Sequence, residues 1–149
     1  MTRGQQAAAY FEQGYNCAQA VTLAFADRVS PDTDTLLKMA SAFGGGMGRL
    51  REVCGAVSGM FLILGLLEGY TDPAAQAEKK QLYQSVQALA RSFAAENGSI
   101  ICHQLLHRPA GAEDPTPQRR TEQYYAARPC RELVAYAAEL LEGYLAQSR

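Results

Sequence analysis

An uninterrupted apolar stretch in the middle of the chain differs from the amphipathic patterns on either side of it. From Val53 to Leu67 there is no charged side chain. A helix that is apolar on every side belongs inside a protein core, and this stretch is shorter than the roughly 20 apolar residues that a membrane span needs. We therefore predict a buried central helix, around which the other helices are arranged.

Most of the remaining chain has apolar residues three and four positions apart, which is typical of helices with one buried face. β-Branched runs and alternating patterns are missing, so no strand is predicted. The fold class expected for residues 1–149 is all-α, a compact single-domain bundle of about six to eight helices. The expected N-caps are Asn16, Asp32 or Asp34, Asp72 and Ser99. Besides the central helix, the predicted helices cover 3–13, 17–28, 36–43, 73–96, 100–107, 119–126 and 130–147.

Two pairs of glycines lie in the central stretch or at its end. Gly55 and Gly59 are four residues apart, as are Gly65 and Gly69, and residues four apart share one face of a helix. Glycine costs a helix roughly 0.5–1 kcal/mol relative to alanine. Both pairs therefore predict helix faces that a neighbouring backbone approaches unusually closely.

A glycine-rich run, Phe43-Gly44-Gly45-Gly46-Met47-Gly48, comes just before the central helix. It predicts a loop with backbone angles that other residues avoid. Because Arg49 and Arg51 follow, Gly45, Gly46 and the later Gly55 are candidate cofactor-binding residues in a cradle for an anion. The run lacks the Lys-Ser/Thr of a P-loop and the GxGxxG spacing. The alternative is a structural loop that lets Cys54 approach other cysteines.

Composition and charge limit the classes of function. Apolar residues make up 48% of the chain and charged residues 19%, which is typical of a globular protein. A net charge of −1 gives no general attraction to nucleic acid or membrane. The arginines at 119, 120, 128 and 131 are interpreted as a solvated face. The first residues contain no hydrophobic signal region, so a cytoplasmic protein is expected.

Each of the four cysteines falls in the first turn of a predicted helix. A helix start has unpaired N–H groups and a partial positive charge, which favour a thiolate and predict a lowered thiol pKa. A thiolate is both a nucleophile and a metal ligand. The candidate catalytic and metal-binding residues are therefore Cys17, Cys54, Cys102 and Cys130. The alternative is that they are small buried core residues.

Cysteine spacing excludes some familiar sites. The chain has no Cys-x-x-Cys, so neither a zinc ribbon nor a thioredoxin-like motif is predicted, and no Cys-x-x-Cys-His for covalent haem. His103 and His107 lie four apart near Cys102, a spacing that suits a metal ion. Whether either histidine takes part is left open by the sequence.

Several segments together resemble a known family. They are Gly14-Tyr15-Asn16-Cys17-Ala18, the glycine run, Cys54-Gly55-Ala56-Val57-Ser58-Gly59, Gly98-Ser99-Ile100-Ile101-Cys102 and Cys130. The set resembles the C_GCAxxG_C_C family of redox-active proteins over nearly the whole chain. More distantly, it is similar to the four-cysteine part of split-Soret cytochromes. The resemblance implies a small helical protein whose four cysteines act together, with iron–sulfur as a candidate cofactor and without haem.

Three hypotheses for function follow. The first is a redox site of four thiolates that holds a metal centre for electron transfer, either iron–sulfur or zinc in a closed site. The second is dithiol–disulfide chemistry without metal. The third is a helical interaction module, in the form of a homodimer, whose glycine faces build the subunit interface. The redox partner is unknown, and no nucleic-acid or membrane partner is expected. Under the first two hypotheses the four sulfurs should converge on one pocket beside Cys54.

Overall fold

The apolar stretch forms the central helix of an all-α fold in the computed structural model, which describes residues 1–147. The predicted fold class is confirmed. An isolated antiparallel bridge joins Val53 and Ile101, and the described residues form no strand. The helices are α1 (Arg3–Glu12), α2 (Cys17–Leu23), α3 (Thr33–Ser41), α4 (Gly44–Met47), α5 (Gly55–Glu68), α6 (Gln76–Asn97), α7 (Cys102–Leu105), α8 (Glu122–Ala126) and α9 (Cys130–Gln147).

Helix α5 lies at the centre of the hydrophobic core. It packs against α2, α9 and α6, while α1 lies along α9. Met60, Ile63 and Leu64 are fully buried, as expected for a helix with apolar residues on all sides. The start of α5 points towards the starts of α2, α7 and α9, and this arrangement positions the site.

Small residues allow α2 and α5 to approach closely. A β-carbon built on Gly59 would lie 2.8 Å from the carbonyl oxygen of Ala18, and one on Gly55 would lie 3.1 Å from Cβ of Cys17. The first glycine pair therefore has the predicted packing role, within a single chain. The prediction is wrong for Gly65, which has no neighbouring atom within 4 Å of such a β-carbon.

Several helix boundaries differ from prediction, and at the starts of α6 and α7 local hydrogen bonds form turns in place of the predicted N-caps. Helix α2 stops at Leu23, and a short 3-10 turn covers Ala26–Arg28. Asp72 does not cap α6, which begins at Gln76; its carboxylate instead accepts a hydrogen bond from the N–H of Ala74 in a turn. The hydroxyl of Ser99 likewise binds the N–H of Ile101, and α7 starts only at Cys102. The Asn16 and Asp32 caps are confirmed.

The glycine run, which contains α4, adopts left-handed backbone geometry, so α4 is not a regular right-handed α-helix. φ is positive at Gly45 (69°), Gly46 (64°) and Gly48 (62°), as predicted for the run, and also at Met47 (68°) and Arg49 (67°). Left-handed geometry costs a non-glycine residue roughly 1–2 kcal/mol. The two non-glycine residues are held there by their glycine neighbours and by hydrogen bonds such as that from Gly48 N to Gly44 O (2.9 Å).

None of the helices within residues 1–147 combines the length and the apolar character that crossing a membrane would require.

Candidate functional site: a four-cysteine cavity

The structure brings all four cysteines to one cavity of about 290 Å³. Cys17, Cys102 and Cys130 are the first residues of α2, α7 and α9, and Cys54 immediately precedes α5. All four are free thiols; Cys17 is partly exposed and the other three are buried. The predicted placement at helix starts and the predicted convergence beside Cys54 are both observed. The catalytic or metal-binding role of these residues remains a prediction.

Backbone hydrogen bonds fix two of the cysteines side by side. The N–H of Cys54 donates to the carbonyl oxygen of Ile100 (2.8 Å), and the N–H of Cys102 donates to that of Glu52 (2.6 Å). These bonds flank the bridge between Val53 and Ile101. The start of α7 is therefore attached to the start of α5, although Cys54 and Cys102 are far apart in sequence.

Glycines provide the space in which the cysteines meet. A β-carbon on Gly46 would lie 2.6 Å from Cβ of Cys102 and 2.9 Å from Cα of Arg51. Gly45, Gly46 and Gly55, the candidate cofactor-binding residues, all line the cavity. The contacts of Gly46 and Gly55 with cysteines favour the structural interpretation of the glycine run. Binding of a cofactor by these glycines stays a prediction.

The predicted lowering of thiol pKa at helix starts is wrong for three of the four cysteines. Burial raises the pKa of Cys54 to about 12, although the backbone N–H groups of Ala56 and Val57 oppose this. Burial likewise raises the pKa of Cys102, against the hydrogen bond from Arg51 Nη1 to its sulfur (3.5 Å). The cost of placing a charge in the protein interior exceeds the stabilisation that a helix start provides.

Cys17 and Cys130 behave as a pair. Interaction with the Cys130 thiol raises the pKa of Cys17, and desolvation of its sulfur adds to the effect. The same interaction lowers the pKa of Cys130 to about 7, helped by the guanidinium groups of Arg128 and Arg51, and burial only partly opposes it. Cys130 is therefore the thiol in this cavity that ionises near neutral pH.

The sequence analysis placed the arginines at 120 and 128 on a solvated face, and this interpretation is wrong for both. Arg128 is 9% exposed and Arg51 only 2%, and both line the cavity together with Arg49 and Arg120. Sequence spacing could not reveal this, because Arg120 and Arg128 lie just outside the two ends of the short helix α8 and reach the cavity only through tertiary packing. By contrast, Arg131 is exposed and paired with Glu12.

One carboxylate anchors the loop that covers this side of the site. Glu113 forms ion pairs with Arg51 (2.9 Å), Arg49 (3.2 Å) and Arg108 (3.1 Å). Although desolvation opposes ionisation, hydrogen bonds from Arg51 and Arg108 hold the pKa of Glu113 below its usual range. The loop thereby places Pro115 and Pro117 in the wall of the cavity.

The histidines do not join the cysteines. Neither His103 nor His107 lines the cavity, and His107 is exposed at the end of the short α7. Across residues 1–147, no group of three or more histidine, cysteine, aspartate and glutamate side chains is arranged to hold a metal ion. Binding of zinc by the four cysteines stays a prediction.

Comparison with protein families gives a match consistent with this site. Residues 15–144 match the model of the family described as "Putative redox-active protein (C_GCAxxG_C_C)". The chain belongs to the C_GCAxxG_C_C family. The matched range contains all four cysteines of the cavity. No curated protein and no solved structure was found to match the chain.

Membership of the C_GCAxxG_C_C family supports a redox role for the protein at the level of the family description. Gly55 and Gly59 cannot build a subunit interface, because α2 of the same chain covers them. Gly65 has no neighbouring atom within 4 Å of a built β-carbon, and a homodimer through this second face of α5 stays a prediction.

Proposed function

We propose that this protein is a thiol–disulfide redox protein in which Cys130 is the attacking thiolate and Cys17 is its partner thiol. The observation that carries the proposal is the placement of Cys17 and Cys130, each the first residue of a helix, in one cavity, where their interaction lowers the pKa of Cys130 to about 7. A thiolate whose pKa is near the ambient pH is an effective attacking group in disulfide exchange. A neighbouring thiol within contact distance is needed to complete the exchange.

The proposed reaction takes place in two exchange steps. The Cys130 thiolate attacks one sulfur of a substrate disulfide, forming a mixed disulfide and releasing the first substrate thiolate. Cys17 then loses its proton to solvent or to that thiolate and attacks the sulfur of Cys130. The second substrate thiol leaves, two electrons have passed to the substrate, and Cys17 and Cys130 are joined. An external dithiol would return the pair to the reduced state.

The charged neighbours of Cys130 would favour the first step. The positive charge of Arg128 stabilises the thiolate, and that of Arg51 adds a smaller effect. Because Arg51 is itself bound to Glu113 and to the sulfur of Cys102, its position is fixed before reaction. Cys54 and Cys102, whose pKa values are raised, would remain protonated near neutral pH.

The pH dependence of alkylation is expected to distinguish Cys130 from the other cysteines. Since only the thiolate reacts, labelling of the native protein by iodoacetamide should rise with pH through a midpoint near 7, the pKa of Cys130. At pH 6 the rate should be about one tenth of its plateau. Mass spectrometry of peptides after brief labelling would locate the modified residue.

Denatured protein provides the control for this experiment, because all four thiols should then titrate near the ordinary value of about 8.5. Fast labelling of Cys54, or equal and slow labelling of all four cysteines in the native protein, would contradict the proposed assignment.

A second candidate function is supported by the donor set of the cavity. Four thiols are the usual ligands of an iron–sulfur cluster, and here all four face one cavity with arginines and without a lining carboxylate. Cys17, Cys54, Cys102 and Cys130 would hold such a cluster, and it would supply one-electron transfer. The positive side chains would balance the charge of four thiolates.

Iron and sulfide analysis after anaerobic reconstitution separates the two candidates. The cluster candidate predicts stoichiometric iron and sulfide and their loss in each of the four cysteine-to-serine variants. The dithiol proposal predicts no stoichiometric iron and a reversible loss of two thiols on mild oxidation. A Cys102→Ser variant that retains the oxidisable pair would favour the dithiol proposal, whereas one that loses bound iron would favour the cluster.

A further inference from the structure

The wall of the four-cysteine cavity carries an excess of positive charge. Four arginines line it, at positions 49, 51, 120 and 128, and no aspartate or glutamate does. Arg49 and Arg51 share the carboxylate of Glu113, which also takes Arg108. One negative charge outside the lining is therefore shared among three guanidinium groups.

Arg120 and Arg128 have no carboxylate partner within ion-pair distance in the described part of the chain. Arg120 donates to the carbonyl oxygens of Phe11 and Tyr15, each at 3.1 Å. Arg128 donates to the side-chain oxygen of Gln118, and its positive charge lowers the pKa of Cys130. These partners fix the positions of the guanidinium groups but neutralise little of their charge, apart from the Cys130 thiolate when it is ionised.

The guanidinium groups of Arg120 and Arg128 both lie against the ring of Tyr124 at the cavity. The guanidinium carbon of Arg120 lies 4.8 Å from the centre of the Tyr124 ring, and that of Arg128 lies 4.4 Å from it. Cation–π contacts offset part of the cost of removing these groups from water. Two like charges gathered on one ring beside a cavity remain unfavourable unless an anion binds between or near them.

We propose that Arg120 and Arg128 bind the carboxylate of a small organic anion, and that this anion is the disulfide or thiol on which Cys130 acts. The inference rests on the proposed dithiol function for the substrate assignment, but not for the binding of an anion. Guanidinium groups favour carboxylates because they donate two parallel hydrogen bonds. Arg128 and Cys130 are two residues apart and both line the cavity, which places the anion site close to the reacting sulfur.

The dimensions and the remaining lining of the cavity favour a small molecule over a protein partner. Its volume of about 290 Å³ is roughly twice that of a 150 Å³ cavity that accommodates benzene. Leu105, Leu106 and Leu133 line it along with the arginines. These apolar side chains would contact the carbon chain of the substrate, while its carboxylate meets the guanidinium groups. The chemistry is the two-step exchange described above, with a carboxylate-bearing disulfide as the oxidant.

The binding experiment uses two unreactive molecules of similar length and opposite charge. Suberate is the analogue of dithiodipropionate in which methylenes replace the two sulfurs, and 1,6-diaminohexane is the corresponding analogue of cystamine. Calorimetric titration of the reduced wild-type protein should detect binding of suberate and none of the diamine. Equal binding of both, or binding of neither, would overturn the proposal without reference to any reaction.

Variants assign the binding to the cavity. Arg128→Gln should weaken suberate binding about tenfold or more, since it removes a charge-assisted hydrogen bond. Arg128→Lys should retain part of the affinity because it keeps the positive charge. Arg131→Gln is the matched control, because Arg131 is exposed and paired with Glu12 outside the cavity. Unchanged binding in a folded Arg128→Gln variant would overturn the assignment to this site.

Disulfide reduction separates the failure of this inference from that of the proposed function. Reduced protein is mixed with dithiodipropionate, cystamine or the neutral 2-hydroxyethyl disulfide at pH 7, and thiol release is followed. We expect the dicarboxylate to react fastest and cystamine slowest. Equal rates for all three would uphold the dithiol function and overturn the anionic substrate. Suberate binding without reduction of any disulfide would refute the dithiol function and the substrate assignment, and leave only the anion site.

Discussion

Replacement of Cys130 by serine is expected to remove the fast-reacting thiol of the native protein and to lower its rate of disulfide reduction by about 10³-fold or more. The reason is that Cys130 is the thiol whose pKa falls to about 7, whereas burial raises the pKa of Cys54 and of Cys102. A serine hydroxyl at this position would not ionise in the relevant range. Iodoacetamide labelling and thiol release from a small disulfide would both measure the loss.

The matching substitution at Cys17 should have a different effect. Cys17→Ser leaves the attacking thiolate in place, so the mixed disulfide with the substrate should accumulate and be visible by intact mass. Cys17→Ala, which unlike serine leaves no hydrogen-bond donor at this position, should move the alkylation midpoint of Cys130 upward from 7, because the interaction with Cys17 is the main cause of the lowered pKa.

Cys102→Ser is the control on the same cavity, since Cys102 is also buried at a helix start but has a raised pKa. It should leave both the fast thiol and the mixed-disulfide chemistry in place. If Cys102→Ser and Cys130→Ser lowered the rate equally, Cys130 would not be the distinct nucleophile, and a role shared by all four cysteines would be the better account.

Gly59→Ala is expected to be the most destabilising single-methyl change in the central helix. The new β-carbon would lie 2.8 Å from the carbonyl oxygen and 3.2 Å from Cα of Ala18, and these are backbone atoms that cannot rotate away. Helix α2 would have to shift, at a cost of about 1–3 kcal/mol. For a chain of this length that corresponds to a fall of roughly 2–12 °C in thermal midpoint.

Gly65→Ala on the same helix provides the matched control. A β-carbon there would have no neighbour within 4 Å, and its backbone is that of an ordinary right-handed helix. We expect alanine to stabilise the protein by about 0.5–1 kcal/mol, because it restricts the unfolded chain and favours the helix. Urea unfolding of the two variants beside wild type measures both effects. A change of the same sign and size in both would contradict the close packing of α2 on Gly59.

Much of the architecture could be predicted because the determining signals are local. An uncharged stretch of helical length can only be buried, and it forms α5. Asn16 caps α2 with its own side chain, so the position of Cys17 followed from two adjacent residues. Convergence of the cysteines was also predicted, from the small residues after Cys54. The first two features depend on near neighbours in sequence, whereas the convergence also needs contacts between distant segments, such as the hydrogen bond from Cys54 to Ile100.

The electrostatics of the site could not be predicted in the same way. A helix start favours a thiolate, but the balance against burial depends on atoms supplied by distant segments, and burial prevails at Cys54. The inward position of Arg128 depends on contacts with Gln118, which precedes helix α8, and with Tyr124 on that helix. Arg128 itself lies beyond the end of α8, where helical periodicity no longer gives the direction of a side chain. The left-handed backbone geometry of Met47 and Arg49 could not be predicted from the sequence either, because neither residue type favours it.

The positions of Cys17 at the start of α2 and Cys130 at the start of α9 have a topological consequence. The two residues are roughly 110 positions apart, so a bond between their sulfurs would close most of the chain into one covalent loop. In the loop-entropy model, closing about 100 residues destabilises the unfolded state by about 4.7 kcal/mol. By the thermodynamic cycle that links folding and oxidation, the fold would then lower the reduction potential of the pair by about 100 mV relative to the unfolded chain. Oxidised protein should accordingly require more denaturant to unfold than reduced protein.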